Sequence, residues 1–172
     1  MCKKIFFSVV IPSYNSSKTI ERSINTILQQ NYQNFEVLIV DDNSNKLTKK
    51  IYKKLVKKSK KIRLIFNKNN LGVSKSRNIG INFSRGKYII FLDSDDFFLK
   101  DFFKNLRNLI SSKNPEAVIA PNKFISSRFS NKKLFAKLFK KKQLSFFCWS
   151  YIFQKKFIKK NKIFFENIKV FE

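Results

Sequence analysis

The sequence predicts an α/β domain: a mostly parallel β-sheet with helices on both faces. Three observations carry this reading. Apolar runs recur at SVVI (8–11), FEVLIV (35–40), RLIF (63–66), YIIFL (88–92) and AVIA (117–120). The stretches between them carry apolar residues at helical spacing. Five of the six aspartates lie in two short clusters, each directly after one of the runs.

The runs are short and rich in β-branched or aromatic residues, as strands buried on both faces are. SVVI is the first strand; Pro12 ends the apolar run, and no small-residue cleavage site follows that would make the N-terminus a signal peptide. Ser16 or Ser17 is placed to cap a helix whose Ile20, Ile24, Ile27 and Leu28 form one apolar face. FEVLIV is the second strand, and Ile51, Leu55 and Val56 mark the helix that follows it. RLIF and YIIFL are the third and fourth strands, after which Phe102, Phe103, Leu106, Leu109 and Ile110 mark another helix and AVIA a fifth strand. Beyond residue 122 the periodic signal weakens. NKKLFAKLFKKKQ (131–143) reads as a basic amphipathic helix, and the tail is aromatic and lysine-rich. At 172 residues the chain is long enough for one domain, read as 1–172.

Composition narrows the chemistry. A formal charge of +26 attracts anionic partners such as phosphorylated substrates, nucleic acid or a membrane surface. Abundant lysine, asparagine, isoleucine and phenylalanine together are also what an AT-rich coding sequence produces, so solvated lysine reads equally well. No RRM, KH, helix-turn-helix or zinc-finger pattern is present, and no nucleic-acid partner is expected. Histidine is absent, which removes Ser-His-Asp and Cys-His catalysis and leaves only oxygen ligands for a metal. Cys2 and Cys148 form no CxxC pattern, which fits a reducing cytoplasm. No segment approaches the ~20 apolar residues that span a bilayer. Gly72, Gly80 and Gly86 form neither GxGxxG nor a P-loop.

The aspartates are the chemical signal. Asp41 and Asp42 follow the second run; Asp93, Asp95 and Asp96 follow the fourth. In sheets of this kind ligands bind outside the C-terminal ends of the strands, and both clusters lie on that edge. Clustered carboxylates repel one another unless a cation neutralises them, and Mn2+ or Mg2+ with a diphosphate ligand suits Asp93, Asp95 and Asp96. The alternatives are a helix cap from Asp95 or Asp96 near Leu99, or an Asx turn; DDNS at 41–44 reads as a turn or as an acceptor for ligand N–H and hydroxyl groups.

SVVIPSYN, FEVLIVDDNS, NNLGVSKSRNIGI and GKYIIFLDSDDFF, in that order and spacing over residues 8–98, resemble the family 2 glycosyltransferases with the Rossmann-like GT-A fold. The resemblance implies metal-dependent, inverting transfer of a sugar from a nucleotide-diphospho-sugar, with residues 1–122 as the nucleotide-sugar-binding part and 123–172 as an incomplete acceptor-side part. It puts Pro12 and Tyr14 in the donor site, with the Tyr14 ring against the base. It also implies that Asp42 binds the base, that Arg77 contacts the nucleotide from SKSRN, with Ser76 in place of the usual alanine, that Asp93 and Ser94 hold the ribose and sugar side, and that Asp95 ligates Mn2+ or Mg2+. An acceptor for a pyrimidine N–H favours uracil, hence a UDP-linked donor. The implied acceptor is a glycan or lipid-linked glycan in cell-surface polysaccharide synthesis. The helix at 131–143 suits peripheral contact with the inner face of the plasma membrane, or equally lysines solvated over a core-facing stripe of Leu134, Phe135, Leu138 and Phe139. The family's catalytic base is the aspartate of an acidic pair. Glu172 matches the first member of that pair, so the resemblance implies a base position just past the last residue and a C-terminally truncated chain. No catalytic residue is assigned. An inactive nucleotide-sugar-binding fragment is the alternative reading, and a basic nucleic-acid-binding module a more distant one.

Overall fold

In the computed structural model of the protein, residues 5–111, 114–119 and 151–166 are described. Along them run β1 (Phe7–Ser13), α1 (Ile20–Leu28), β2 (Phe35–Asp41), α2 (Lys46–Lys58), β3 (Ile62–Phe66), α3 (Val73–Phe83), β4 (Tyr88–Phe91), α4 (Phe102–Ser111), β5 (Ala117–Ile119), β6 (Tyr151–Gln154) and α5 (Lys155–Lys160). The sheet order is β3-β2-β1-β4-β6-β5. β1 pairs in parallel with β2 and β4, and β2 with β3. β6 runs antiparallel to both β4 and β5. The mostly parallel α/β sheet predicted from the sequence is therefore present.

Period-2 alternation explains why the strands read as unbroken apolar runs. Val9, Ile11, Val37, Ile39 and Ile90 enter one core with Ile20, Ile24 and Ile27 of α1, Tyr52 and Leu55 of α2, and Phe103, Leu106 and Ile110 of α4. Val10, Leu38, Val40, Ile89 and Phe91 enter a second core with Ile81 of α3 and Ile158 of α5. Helices thus cover both faces, and β1 and β2 are buried along their whole length. α3 lies tight against β1, for a Cβ added at Gly80 would sit 2.2 Å from a methyl of Val10.

Three details differ from expectation. α1 begins at Ile20 with Thr19 as its cap residue, and neither Ser16 nor Ser17 caps it through a side chain. The Ser16 carbonyl accepts from the amides of Thr19 and Ile20, while its hydroxyl is drawn to Ser13 and Tyr52. Leu109, expected on the apolar face of α4, is exposed. β6 has no counterpart among the predicted strands, because it becomes one only through distant pairing with β4 and β5. Trp149, the predicted helix at 131–143 and Glu172 lie outside the described residues.

The strand N-terminal ends are locked by one buried acid. Glu36, 2% exposed, accepts from the Ser8 hydroxyl (2.6 Å), the Arg63 guanidinium (2.8 Å) and the Arg85 amide. The Ser8 hydroxyl in turn accepts from the Gly86 amide at 2.7 Å. This ties β1, β2, β3 and the turn before β4 together at the end remote from the aspartate clusters. Removing one partner of a buried charged network strands the others, so Glu36→Ala is expected to lower the unfolding free energy by about 3 kcal/mol in urea denaturation. A loss under about 0.5 kcal/mol, the level of an ordinary surface substitution, would refute this role.

Candidate active site

Four loops meet at the C-terminal edge of the parallel strands, joined by a continuous chain of hydrogen bonds. β1 leads into the first. Pro12 is buried in β1 beyond the last β1–β4 pair, Val10 with Phe91, where a missing N–H is tolerated. Tyr14 follows with its ring 54% exposed. Its neighbour Asn15 adopts a left-handed backbone (φ 49°), which asparagine tolerates. The Asn15 amide donates to the Ser44 hydroxyl and its side-chain carbonyl accepts from the Asn45 amide, both at 2.9 Å. Beneath them the fully buried Tyr52 of α2 donates to the Ser13 hydroxyl at 2.9 Å and lies 3.2 Å and 3.4 Å from those of Ser16 and Ser44. The loop bearing Tyr14 is thereby fastened to the one after β2, leaving the ring itself free.

The two acids ending β2 take different roles. Asp41 accepts from the Ser44 amide at 3.0 Å, so it closes the turn that DDNS suggests, while its other oxygen is buried without a hydrogen-bond partner. Asp42 reaches across to the loop after β3. One oxygen accepts from the Asn67 amide group (2.8 Å) and the Leu71 N–H (2.9 Å), and the other from the Gly72 N–H (2.8 Å). A carboxylate offers about four acceptor positions, so three are used and one is left. Asn67 also donates to the Ser76 hydroxyl at 3.0 Å, giving the serine found in SKSRN an acceptor role that an alanine could not fill. Gly72, with φ 86°, supplies the backbone turn into α3.

α3 then presents Arg77, whose guanidinium donates to Asp93 at 2.7 Å and lies over the Phe165 ring at 5.4 Å. Asn78 grips the same residue from the other side. Its side chain donates to the Phe165 carbonyl and accepts from the Phe165 amide, both at 2.9 Å.

After β4, Leu92 is buried and the chain turns, the Asp96 amide donating to the Asp93 carbonyl at 3.1 Å. Ser94 is half-buried within this turn, and Asp95 and Asp96 are exposed. α4 starts only at Phe102, so neither aspartate caps it. Among the described residues no three acidic or thiol side chains converge on one point, since Asp93 is taken by Arg77. Burial and then the charges of Asp93 and Asp95 push the Asp96 carboxyl above its usual range, with Arg22 opposing.

Pro12, Tyr14, Asp42, Arg77, Asp93, Ser94 and Asp95 therefore all lie on one edge, at the C-terminal ends of the parallel strands and the start of α3. Sequence reasoning passed over Tyr52, Asn67, Asn78 and Arg22, which hold these residues in place. Asn67 directly follows the run RLIF, and Asn78 is the last residue of the quoted SKSRN segment, which was read without a role for it. Arg22 is one of 37 basic residues and carries no local mark.

The chain matches the description "Glycosyl transferase family 2" over residues 8–168. It is 38% identical over 92 residues to the UDP-Glc:alpha-D-GlcNAc-diphosphoundecaprenol beta-1,3-glucosyltransferase WfgD of Escherichia coli, covering 54% of this chain and 36% of that protein. It is 39% identical over 111 residues to the amylovoran biosynthesis glycosyltransferase AmsB of Erwinia amylovora, covering 63% of this chain and 36% of that one. The structure of S. aureus TarS 1–349 in complex with UDP-GlcNAc superposes with a TM-score of 0.74 and 26% identity, over 94% of this chain and 49% of that one. The chain thus spans about a third of the length of these curated relatives and half of this solved structure. With the family match running from the first strand through the segment that carries Phe165, and the fold superposing on that structure, the chain belongs to glycosyl transferase family 2.

Proposed function

We propose that this chain forms the donor-binding part of a glycosyltransferase that moves a sugar from a UDP-linked donor to a glycan or lipid-linked acceptor in polysaccharide synthesis. One observation carries the reading: the hydrogen-bond chain that gathers Tyr14, Asp42, Arg77 and the Asp93–Asp96 turn on a single sheet edge. The names of similar proteins support the chemistry, with a UDP-sugar bound by TarS and a diphosphoundecaprenol-linked acceptor used by WfgD.

In this reading the exposed Tyr14 ring stacks on the base, and the remaining acceptor position of Asp42 takes a pyrimidine N–H. Asp93 and Ser94 face the ribose and sugar. Arg77, already desolvated, turns part of its fork toward the diphosphate, and its buried Nε has no hydrogen-bond partner among the described residues. The residues also fit Mn2+ or Mg2+: Asp95 and Asp96 are hard-oxygen donors, exposed and mutually repelling, and such ions take one or two carboxylates and fill their shell with phosphate oxygens and water. A divalent ion there would stabilise the charge that grows on the leaving diphosphate. Asp95 would be the principal ligand.

Calorimetric titration of UDP tests this. Saturable binding that strengthens with Mn2+ and falls with a chelator is expected. Tyr14→Ala should weaken UDP binding by about 5- to 100-fold, the worth of one base stacked on an aromatic ring. Asp95→Ala should abolish the metal-dependent part; unchanged binding would remove the metal role, and no binding by the folded wild type would overturn the proposal.

The raised carboxyl of Asp96 adds a stability prediction. The folded protein keeps this proton over a pH interval in which the unfolded chain has lost it, so ionising Asp96 costs stability as pH rises through that interval. Asp96→Asn should therefore raise the thermal midpoint of the ligand-free protein at neutral pH. The advantage should vanish below about pH 4, where both states of the wild type are protonated. An equal midpoint at neutral pH would contradict it.

A further inference from the structure

The loop between β4 and α4 has few bonds of its own: the Asp96 amide to the Asp93 carbonyl and, at its far end, the Phe102 amide to the Leu99 carbonyl at 3.3 Å. Irregular main chain needs partners for its polar groups, and here α1 and the residues just after it provide them. Arg22 donates to the Asp95 carbonyl at 2.6 Å, and its guanidinium lies 5.5 Å from the centre of the Phe97 ring. The Thr26 hydroxyl accepts from the Phe98 amide at 3.1 Å and donates to the Ser23 carbonyl at 2.8 Å. Gln30, 4% exposed, donates to the Leu99 carbonyl at 2.9 Å and accepts from the Phe103 amide at 3.4 Å. Asn31 adds a bond to the Asp101 carboxylate at 3.1 Å.

Arg22 and Thr26 are spaced by four on α1 and so lie one above the other on its surface, and Gln30 continues the series two residues past the end of the helix. The three meet residues 95 to 99 in the same order, a carbonyl, an amide and a carbonyl in turn. Phe98 anchors the loop from below, stacked on Phe102 at 4.2 Å and entering the core. Arg22 engages a main-chain carbonyl rather than a carboxylate, so it brings positive charge beside Asp95 and Asp96 without occupying their oxygens. Arg77 does the opposite at Asp93. Among the described residues, no hydrogen bond of Arg22, Thr26 or Gln30 reaches Tyr14, Asp42 or their supports Tyr52 and Asn67.

We propose that Arg22, Thr26 and Gln30 are positioning residues for the acidic turn, fixing its main chain so that Asp95 and Asp96 face the donor diphosphate, independently of the base pocket. This rests on the proposed function. Groups that orient a metal's ligands typically change its affinity by about 10- to 100-fold, so a loss near tenfold is expected.

The test is calorimetry on the 172-residue chain, with uridine in chelator and with UDP in chelator and then in Mn2+. Arg22→Gln and Thr26→Val should leave uridine affinity within about twofold while cutting the Mn2+-dependent gain for UDP about tenfold. Arg22→Lys should restore part of the gain. Paramagnetic resonance of Mn2+ with UDP present gives an independent count of bound metal, which should fall in the same variants. Full retention of the gain in both variants overturns the inference. A parallel fall in uridine affinity also overturns it, since it would mark general support of the fold. A wild type that binds UDP without any metal-dependent gain fails the proposed metal role and takes this inference with it.

Discussion

The loop arrangement rests on how one buried carboxylate, that of Asp42, finds its donors. An ionised group out of water is costly unless several hydrogen bonds replace its hydration. Asp42 receives a side-chain amide from the end of β3 and two successive main-chain amides at the entry to α3. Those amides begin a helix, where unpaired N–H groups and the helix dipole favour negative charge. The contact that lodges the charge therefore also fixes where α3 begins and, through it, where Arg77 stands. An apolar residue of similar size would remove the acceptor that the Leu71 and Gly72 amides share with Asn67.

From this junction the edge divides into two regions with separate supports. Around Tyr14 the fixing groups are hydroxyls, with Tyr52 gathering Ser13, Ser16 and Ser44 under the surface. Around the acidic turn they are a guanidinium and a threonine from α1 and an amide just after it. Arg77 spans the border, since α3 carries it from the Asp42 side and it ends at Asp93. In a chain with so large a cationic excess, the two arginines at the site stand apart by their specific bonds, Arg22 to the Asp95 carbonyl and Arg77 to the Asp93 carboxylate.

Much of the fold was legible because parallel strands buried on two sides must be apolar at consecutive positions, and FEVLIV or YIIFL can hardly be anything else once followed by charge. The aspartate clusters were legible for a related reason: in an acid-poor chain, their concentration at strand ends stands out. What could not be read is the pairing. Asp42 and the Gly72 amide are 30 residues apart, and main-chain donors leave no trace in composition. Tyr52 carries no mark in the sequence, and only its hydroxyl among three serines gives it a task beyond packing. α1 starts after Thr19 because Ser16 is drawn elsewhere, a tertiary preference that overrides local capping propensity. β6 is strand by partnership alone.

The grip of Asn78 on Phe165 has a mechanical consequence. Arg77 and Asn78 are neighbours on one helix, yet one reaches the turn after β4 and the other holds the main chain beyond α5. α3 is pressed so closely onto β1 at Gly80 that it has almost no room to tilt toward the sheet. Its remaining freedom is to roll or slide, and either motion displaces both contacts together. The segment around Phe165 and the carboxylate of Asp93 are geared to the same shaft, so a disturbance at one is felt as displacement at the other.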